Sequence, residues 1–240
     1  MEQLYTIPVN EAFDASAADP ACGCPMCALY NRLEENELSL ILGASMMEPD
    51  VRKRTNEVGF CHRHFDMMFR RKNRLGLGLI LESHLEKVKG DLEGGGIGAL
   101  FSGVGGEALR RLDRLEKGCY VCERVEGYLS RMFETVLLLW QNDAAFRDKC
   151  KAQPYFCLPH YRRLLAMGKE TLGKKEFPDF YAALSQIEKT CLDTLGKDVS
   201  WFCKKFDYRY DDEPWYNAKD AVERAIRFLS GNEGAGVEKK

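Results

Sequence analysis

The sequence contains no apolar run long enough to cross a membrane. Apolar runs such as residues 136–140 extend over only five residues, whereas a transmembrane helix needs about 20. The first residues also lack the basic segment and following apolar stretch that mark a secretory signal. We therefore predict a cytoplasmic protein that has no membrane partner.

Neither sign of charge dominates the sequence. Lysine and arginine together number 35, aspartate and glutamate number 37, and the net charge is −2. This balance supplies no bulk attraction to nucleic acid. Basic clusters at residues 70–74 and 110–114 carry enough charge to contact phosphate, but charge runs on helices are usually solvated faces. We expect an unknown protein or small-molecule partner rather than nucleic acid.

The sequence also lacks the alternation of apolar and polar residues that is typical of β-strands. Apolar residues recur instead at helical spacing, and the longest such stripe consists of Phe180, Leu184, Ile187, Cys191, Leu195, Val199, Phe202 and Phe206. We predict an all-α protein with helices over about 28–44, 75–92, 120–140 and 178–206. A short helix is also predicted to start after Pro49, whose ring suits a first turn. Residues 1–22 are predicted to form an extended arm.

Histidine is scarce, with four residues, but cysteine is abundant, with ten. In a reducing cytosol, clustered cysteines are typical of metal ligands or redox centres rather than of structural disulfides. Most of these cysteines belong to a pattern that occurs twice: Cys-x2-Cys, a gap of 33 or 34 residues, and then Cys-x2-His. The eight residues of the pattern are Cys24, Cys27, Cys61, His64, Cys119, Cys122, Cys157 and His160.

Thiolate and imidazole groups at this spacing are typical zinc ligands. Zn²⁺ favours a tetrahedron of four such groups, and each Cys-x2-Cys or Cys-x2-His turn supplies one edge of it. Because the two kinds of pair alternate along the chain, we predict one Cys3His zinc site in each half, and two zinc ions in total. Four protein ligands leave no position for a substrate, which indicates structural sites. An iron–sulfur cluster is less favoured because it prefers four thiolates.

The repeated pattern predicts an internally duplicated helical protein in which one Cys3His zinc site crosslinks the helices of each repeat. Phe60 and Phe156 precede the third cysteine of each copy, and Phe65 and Tyr161 follow the histidine. The predicted organisation is an N-terminal arm and first zinc-binding repeat over 1–93, a linker over 94–106, and a second repeat with C-terminal helices over 107–240. The glycine-rich linker lacks the Gly-Lys-Ser/Thr ending of a phosphate-binding loop.

The leading functional hypothesis is a non-catalytic, zinc-stabilised module that binds another molecule, and no catalytic residue is identified. A metalloenzyme or ligand-binding protein, with its site between the repeats beside the linker and the aromatic, acidic tail 207–216, is one alternative. A metal or thiol sensor is another, because Cys22 lies beside the first motif and methionines such as Met26 and Met47 are soft ligands. His84 has no partner at ligand spacing and is assigned to the surface or to packing rather than to chemistry.

Several segments together resemble a known family. They are residues 5–13 (Tyr-Thr-Ile-Pro-Val-Asn-Glu-Ala-Phe), the two cysteine–histidine motifs, residues 72–76 (Lys-Asn-Arg-Leu-Gly) and residues 206–210 (Phe-Asp-Tyr-Arg-Tyr). The chain resembles an uncharacterised bacterial family known only as a domain of unknown function. The resemblance covers nearly the whole chain and implies one full-length unit. It implies no activity, substrate or catalytic residue.

Overall fold

The computed structural model describes residues 5–92 and 105–231, and within these ranges the chain forms helices and no strands. The all-α prediction is therefore confirmed. The α-helices of these ranges are α1 (Thr6–Ala18), α2 (Pro25–Leu42), α3 (Pro49–Val58), α4 (His62–Arg70), α5 (Arg74–Leu92), α6 (Gly106–Lys117), α7 (Tyr120–Asn142), α8 (Ala144–Lys151), α9 (Leu158–Thr171), α10 (Glu176–Lys204) and α11 (Ala221–Ser230). No helix among them is both long and apolar enough to span a membrane.

The described chain divides into two compact units, and one of them is discontinuous in sequence. The terminal unit combines the residues up to Asn31 with those from Leu129 onward, and the central unit spans Arg32–Tyr128. The sequence pattern predicts different boundaries, with the two repeats at 1–93 and 107–240. The predicted linker 94–106 lies outside the described residues except for its last two glycines. The internal duplication stays a prediction.

The predicted extended arm is wrong, because Thr6–Ala18 forms helix α1. Val9, Phe13 and Ser16 lie four and three residues apart, which places them on one face of a helix, and all three are buried. The ring of Phe13 lies 4.9 Å from that of Phe146 in α8. A buried apolar face therefore stabilises the helix, although Pro8 stands in its first turn, where a proline is tolerated.

The core of the terminal unit is built from phenylalanine rings. Helix α1 packs on α8, while α9, α10 and α11 pack on one another. The rings that are wholly inaccessible to solvent belong to Phe13, Phe133, Phe146, Phe156 and Phe180. The predicted apolar stripe of α10 is buried at Phe180, Leu184 and Leu195. It does not continue to Phe206, which is 75% exposed.

The central unit has a smaller aliphatic core. Helices α3, α5 and α6 contact one another, and α4 packs on α5. The side chains of Leu38, Ile41, Val58, Met68 and Ile80 are buried there. Helix α3 begins at Pro49, as the sequence predicts, since a proline ring suits the first turn of a helix.

A buried carboxylate interrupts the core of the terminal unit. Glu188 of α10 is 5% exposed, and its Oε1 accepts a hydrogen bond of 2.8 Å from the backbone N–H of Phe156. Its Oε2 is buried and has no hydrogen-bond partner. Burial raises the pKa of Glu188 to about 7, against the opposing effect of the Phe156 bond. The protonated form is therefore the one that the folded chain favours.

We expect Glu188→Gln to remove part of the pH dependence of stability. A carboxyl whose pKa is raised on folding loses stabilising free energy as pH rises from about 4.5 to about 7, here by up to about 3 kcal/mol. The amide keeps the acceptor for Phe156 and cannot ionise. The free energy of unfolding of the variant, relative to the natural chain, should therefore increase between pH 5 and pH 8 in urea titrations. The exposed Glu170→Gln is the control, and parallel curves for Glu188→Gln and the natural chain would contradict the assignment.

Candidate metal centres

The first candidate centre lies in the terminal unit and joins α2 to α9. Cys24 precedes α2, Cys27 lies in its first turn, Cys157 caps α9, and His160 lies in the first turn of α9. Nδ1 of His160 lies 3.6 Å from Sγ of Cys24, 3.5 Å from Sγ of Cys27 and 3.2 Å from Sγ of Cys157. We call this group the α2–α9 cluster. All four residues are buried.

The second candidate centre lies in the central unit and joins α4 to α7. Cys61 caps α4, and His64 lies in its first turn; Cys119 precedes α7, and Cys122 lies in its first turn. Nδ1 of His64 lies 3.2 Å from Sγ of Cys61, 3.1 Å from Sγ of Cys119 and 3.4 Å from Sγ of Cys122. We call this group the α4–α7 cluster.

The structure gathers the eight predicted residues into two clusters of four. The membership of each cluster differs from the prediction. The sequence pattern predicts that Cys24 and Cys27 join Cys61 and His64 of the same half. In the structure, each Cys-x2-Cys turn meets the Cys-x2-His turn of the other half. The prediction of one site inside each repeat is therefore wrong. Both kinds of turn offer one tetrahedral edge, so ligand spacing alone cannot determine which edges meet.

A close backbone contact places Cys119 beside Cys61. The backbone N–H of Tyr120 donates to the carbonyl of Gly59, at 2.9 Å, which fixes the two ligand turns against each other. A side chain at Gly118 would lie 2.7 Å from the carbonyl oxygen of Val58, too close for any residue but glycine. Gly59 has a φ of 72°, a conformation that glycine adopts without strain. Gly59 and Gly118 therefore permit the close backbone approach that places the two ligand turns of the α4–α7 cluster side by side.

The spacing of the ligand atoms matches a tetrahedral zinc site. Bond lengths of about 2.3 Å to sulfur and about 2.0 Å to nitrogen separate the ligand atoms of such a site by about 3.5 to 3.8 Å. In each cluster the four candidate ligand atoms all lie within 4.8 Å of one another. The Cys27 and Cys157 sulfurs, for example, are 3.5 Å apart. Each cluster can therefore hold one metal ion among four protein atoms.

Crowding of the thiols separates their pKa values. In the α2–α9 cluster, burial raises the pKa of Cys24 well above its usual range, whereas hydrogen bonds from Cys157 and Cys24 lower that of Cys27. In the α4–α7 cluster, a hydrogen bond from Cys122 lowers the pKa of Cys119 to about 3, and the same contact raises that of Cys122. One thiolate therefore suppresses the ionisation of its neighbours. A divalent cation removes this conflict because it stabilises all the thiolates together.

Glu34 supports the histidine of the α4–α7 cluster. Its Oε1 lies 3.1 Å from Nε2 of His64 and accepts a 2.6 Å hydrogen bond from Arg63. Burial disfavours a charge on His64, but its bonds to Cys119 and Glu34 raise its pKa to about 10. An Nε2–H donated to Glu34 leaves Nδ1 as the metal-facing atom, which is the usual role of a carboxylate behind a histidine ligand.

Glu34 was not among the predicted site residues, although the sequence carries a signal for it. It stands four residues before Leu38 and seven before Ile41, so it shares their face of α2. Both aliphatic residues are buried, and Glu34 is 2% exposed. A carboxylate in line with a buried apolar stripe requires a partner, and here the partners are His64 and Arg63.

The two clusters differ in their access to solvent. In the α2–α9 cluster Cys24, Cys27, Cys157 and His160 are at most 3% exposed, and a side chain at Gly231, just after α11, would lie 3.5 Å from Sγ of Cys157. In the α4–α7 cluster Cys122 is exposed and Cys61 is partly exposed. The α4–α7 cluster is therefore the one whose cysteine residues are partly open to solvent.

Cys22, Cys150, Cys191 and Cys203 do not join either group. Cys22 is exposed, and its Sγ lies 3.9 Å from Oδ2 of Asp19. Met26 is buried in the core, whereas Met47 is 70% exposed. Burial lowers the pKa of His84, whose Nδ1 is buried without a hydrogen-bond partner. This fits a packing role for the His84 ring.

Comparison with known proteins identifies a family but no function. The model of a family of unknown function (DUF6062) matches residues 1–235. The chain belongs to this family. No curated protein and no solved structure gives a significant match. The function of this DUF6062 member has therefore to be inferred from its own residues.

Paired substitutions test which cysteines share a centre. We expect Cys27→Ala combined with Cys157→Ala to abolish one centre and to leave one metal ion per chain. Cys27→Ala combined with Cys61→Ala should abolish both, because these residues lie in different clusters. Native mass spectrometry counts the ions, and circular dichroism checks that the helices remain. The reverse pattern, two ions lost from the first variant and one from the second, would support pairing within each half.

Proposed function

We propose that each cluster binds one Zn²⁺ ion as a structural site. The observation that carries the proposal is that each cluster gathers three sulfurs and one imidazole nitrogen at tetrahedral spacing. In each cluster the four atoms come from the starts of two separate helices. Zinc accepts this mixed set without geometric strain. One histidine in each cluster counts against an iron–sulfur cluster, which prefers four thiolates.

The four-ligand arrangement supports a structural rather than a catalytic role for the metal. Catalytic zinc sites use three protein ligands and keep a fourth position for water or substrate. In both clusters four protein atoms supply the whole tetrahedron, and the α2–α9 cluster is also shut off from solvent. The zinc ions would then stabilise the helices that carry their ligands, and we propose that the protein acts through its surface, as a non-catalytic binding module.

Metal analysis of the purified chain tests the zinc assignment. We expect two zinc ions per chain and no iron, because the two clusters together supply eight ligands of the zinc-preferring type. Removal of the metal by a chelator at neutral pH should lower the melting temperature, since metal binding contributes directly to folding free energy. A metal content well below two ions, or a visible absorption band from iron, would refute the assignment.

Glu34→Gln should weaken the zinc of the α4–α7 cluster selectively. The amide still accepts a hydrogen bond from His64 but removes the negative charge behind the imidazole, so we expect zinc affinity to fall by about 10-fold at this site. Competition with a chromogenic chelator measures the two affinities separately.

Glu35→Gln, an exposed neighbour on the same helix that pairs with Arg71, is the matched control and should leave both affinities unchanged. An equal loss at both clusters, or no loss at either, would contradict the role assigned to Glu34.

A metal or thiol sensor is a second candidate, favoured by one observation. Cys122 is an exposed residue, whereas all four residues of the α2–α9 cluster are buried. Exposed thiolates are the ones that oxidants and competing ligands reach. Under this alternative the α4–α7 cluster would exchange its metal while the other retained it, and chelator titrations would show one fast and one slow zinc ion.

A further inference from the structure

The end of α10 and the turn after it carry a group of aromatic rings in the terminal unit. The ring of Trp201 lies 5.7 Å from that of Tyr210 and 5.5 Å from that of Tyr216. The ring of Trp215 lies 5.9 Å from that of Phe202. We call residues 206–216 the aromatic turn. It includes the aromatic, acidic tail 207–216 noted in the sequence.

Lys205 holds the aromatic turn in one conformation. This lysine is 8% exposed, and its Nζ donates to the backbone carbonyls of Tyr210, Asp211 and Glu213, at 2.5, 3.0 and 2.7 Å. All three ammonium protons therefore have acceptors. The indole N–H of Trp201 donates to a fourth carbonyl, that of Pro214, at 3.0 Å. The turn is thus held by the side chains of Trp201 in α10 and of Lys205 just after it.

The rings that this scaffold presents face the solvent. Phe206 is 75% exposed, Tyr208 is 82% exposed and Tyr216 is 70% exposed. Tyr216 also has a φ of 49°, in the left-handed region that is strained for a residue with a side chain. Exposed rings and a strained backbone do not stabilise the core. An ordered, exposed aromatic patch of this kind is typical of a binding surface, where rigid rings act as anchors.

The unpaired charge of the aromatic turn is negative. The ammonium of Lys205 is occupied by the three carbonyls, and Asp207 is paired with Arg209 at 2.5 Å. The carboxylates of Asp211, Asp212 and Glu213 are exposed, and within the described chain no basic side chain forms an ion pair with them. Aromatic faces and carboxylates side by side match a partner that carries guanidinium or ammonium groups.

We propose that the aromatic turn binds an arginine- and lysine-rich segment of another protein. Guanidinium groups would stack on Tyr208 and Tyr216 and pair with the neighbouring carboxylates, a combination for which arginine is better suited than lysine. The inference gives the proposed binding role a surface and a partner class, and it rests on that role but not on the identity of the metal. The same carboxylates repel nucleic acid and anionic lipid, so the charge argues against both.

Peptide binding tests the proposal on the full-length, metal-loaded chain. The probe is a fluorescein-labelled peptide of alternating arginine and glycine, and fluorescence anisotropy measures its affinity. We expect saturable binding that weakens by about 10-fold or more in Tyr208→Ala/Tyr216→Ala, because exposed aromatic anchors dominate such contacts. We expect a similar loss, with a weaker dependence on salt, in Asp211→Asn/Asp212→Asn/Glu213→Gln.

Tyr181→Ala is the matched control, because Tyr181 is a half-exposed tyrosine on α10, outside the aromatic turn. It should leave the affinity unchanged. Zinc content is measured on every variant. A variant that loses zinc reports on the proposed structural sites, whereas a variant that keeps its zinc and loses peptide affinity reports on the aromatic turn.

Three results would overturn the proposal. The first is no saturable binding up to about 1 mM peptide, the range of non-specific contacts. The second is equal binding of a glutamate–glycine peptide, or equal affinity in all variants. The third is self-association of the natural chain, seen by sedimentation and abolished in Tyr208→Ala/Tyr216→Ala, which would assign the surface to a second copy of this chain.

Discussion

Each compact unit depends on one meeting point, where a Cys-x2-Cys turn at the start of one helix faces a Cys-x2-His turn at the start of another. In the terminal unit the facing sulfurs of Cys27 and Cys157 are 130 residues apart in sequence, and in the central unit Cys119 lies 55 residues from His64. A crosslink by a metal ion at such a point orders two distant helices at once. The rest of each unit packs around these helices, so their relative placement constrains the remaining core.

Chain entropy does not explain why the turns meet across the halves. Closing a 130-residue loop costs only about 1 kcal/mol more than closing a loop of roughly 34 residues, because the cost grows with the logarithm of length. Packing readily exceeds that difference. Phe13, Phe146 and Phe156 bury their rings together in the terminal unit, and this contact brings the chain before Cys157 to the helix that precedes Cys24. Packing of these buried rings is therefore compatible with pairing across the halves, in spite of the longer loop.

The two centres have the same ligands in different surroundings. The α2–α9 cluster is enclosed, which favours permanent retention of an ion, whereas the α4–α7 cluster combines an exposed cysteine with a buried histidine held by Glu34. The carboxylate stabilises the site from the protein side while solvent reaches it from the other. In the aromatic turn, Lys205 and Trp201 hold the backbone while the rings of Phe206, Tyr208 and Tyr216 are exposed. In the α4–α7 cluster the residue held by the buried contact, His64, is itself buried, whereas in the aromatic turn the buried contact of Lys205 holds a backbone that carries exposed rings.

The sequence by itself determined the helical class, the eight cysteine and histidine residues of the clusters and several helix starts, such as that of α3 at Pro49. These features are local: side-chain periodicity, ligand spacing and the fixed φ of proline all act within a few residues. The sequence prediction is wrong at α1, which forms within the predicted extended arm 1–22, and at the end of the predicted apolar stripe, where Phe206 lies beyond α10 and faces water. Only the tertiary structure decided which turns share a centre, which centre is exposed, and that Glu34 supports His64. Those outcomes depend on contacts between residues far apart in the chain, and neither periodicity nor spacing carries that information.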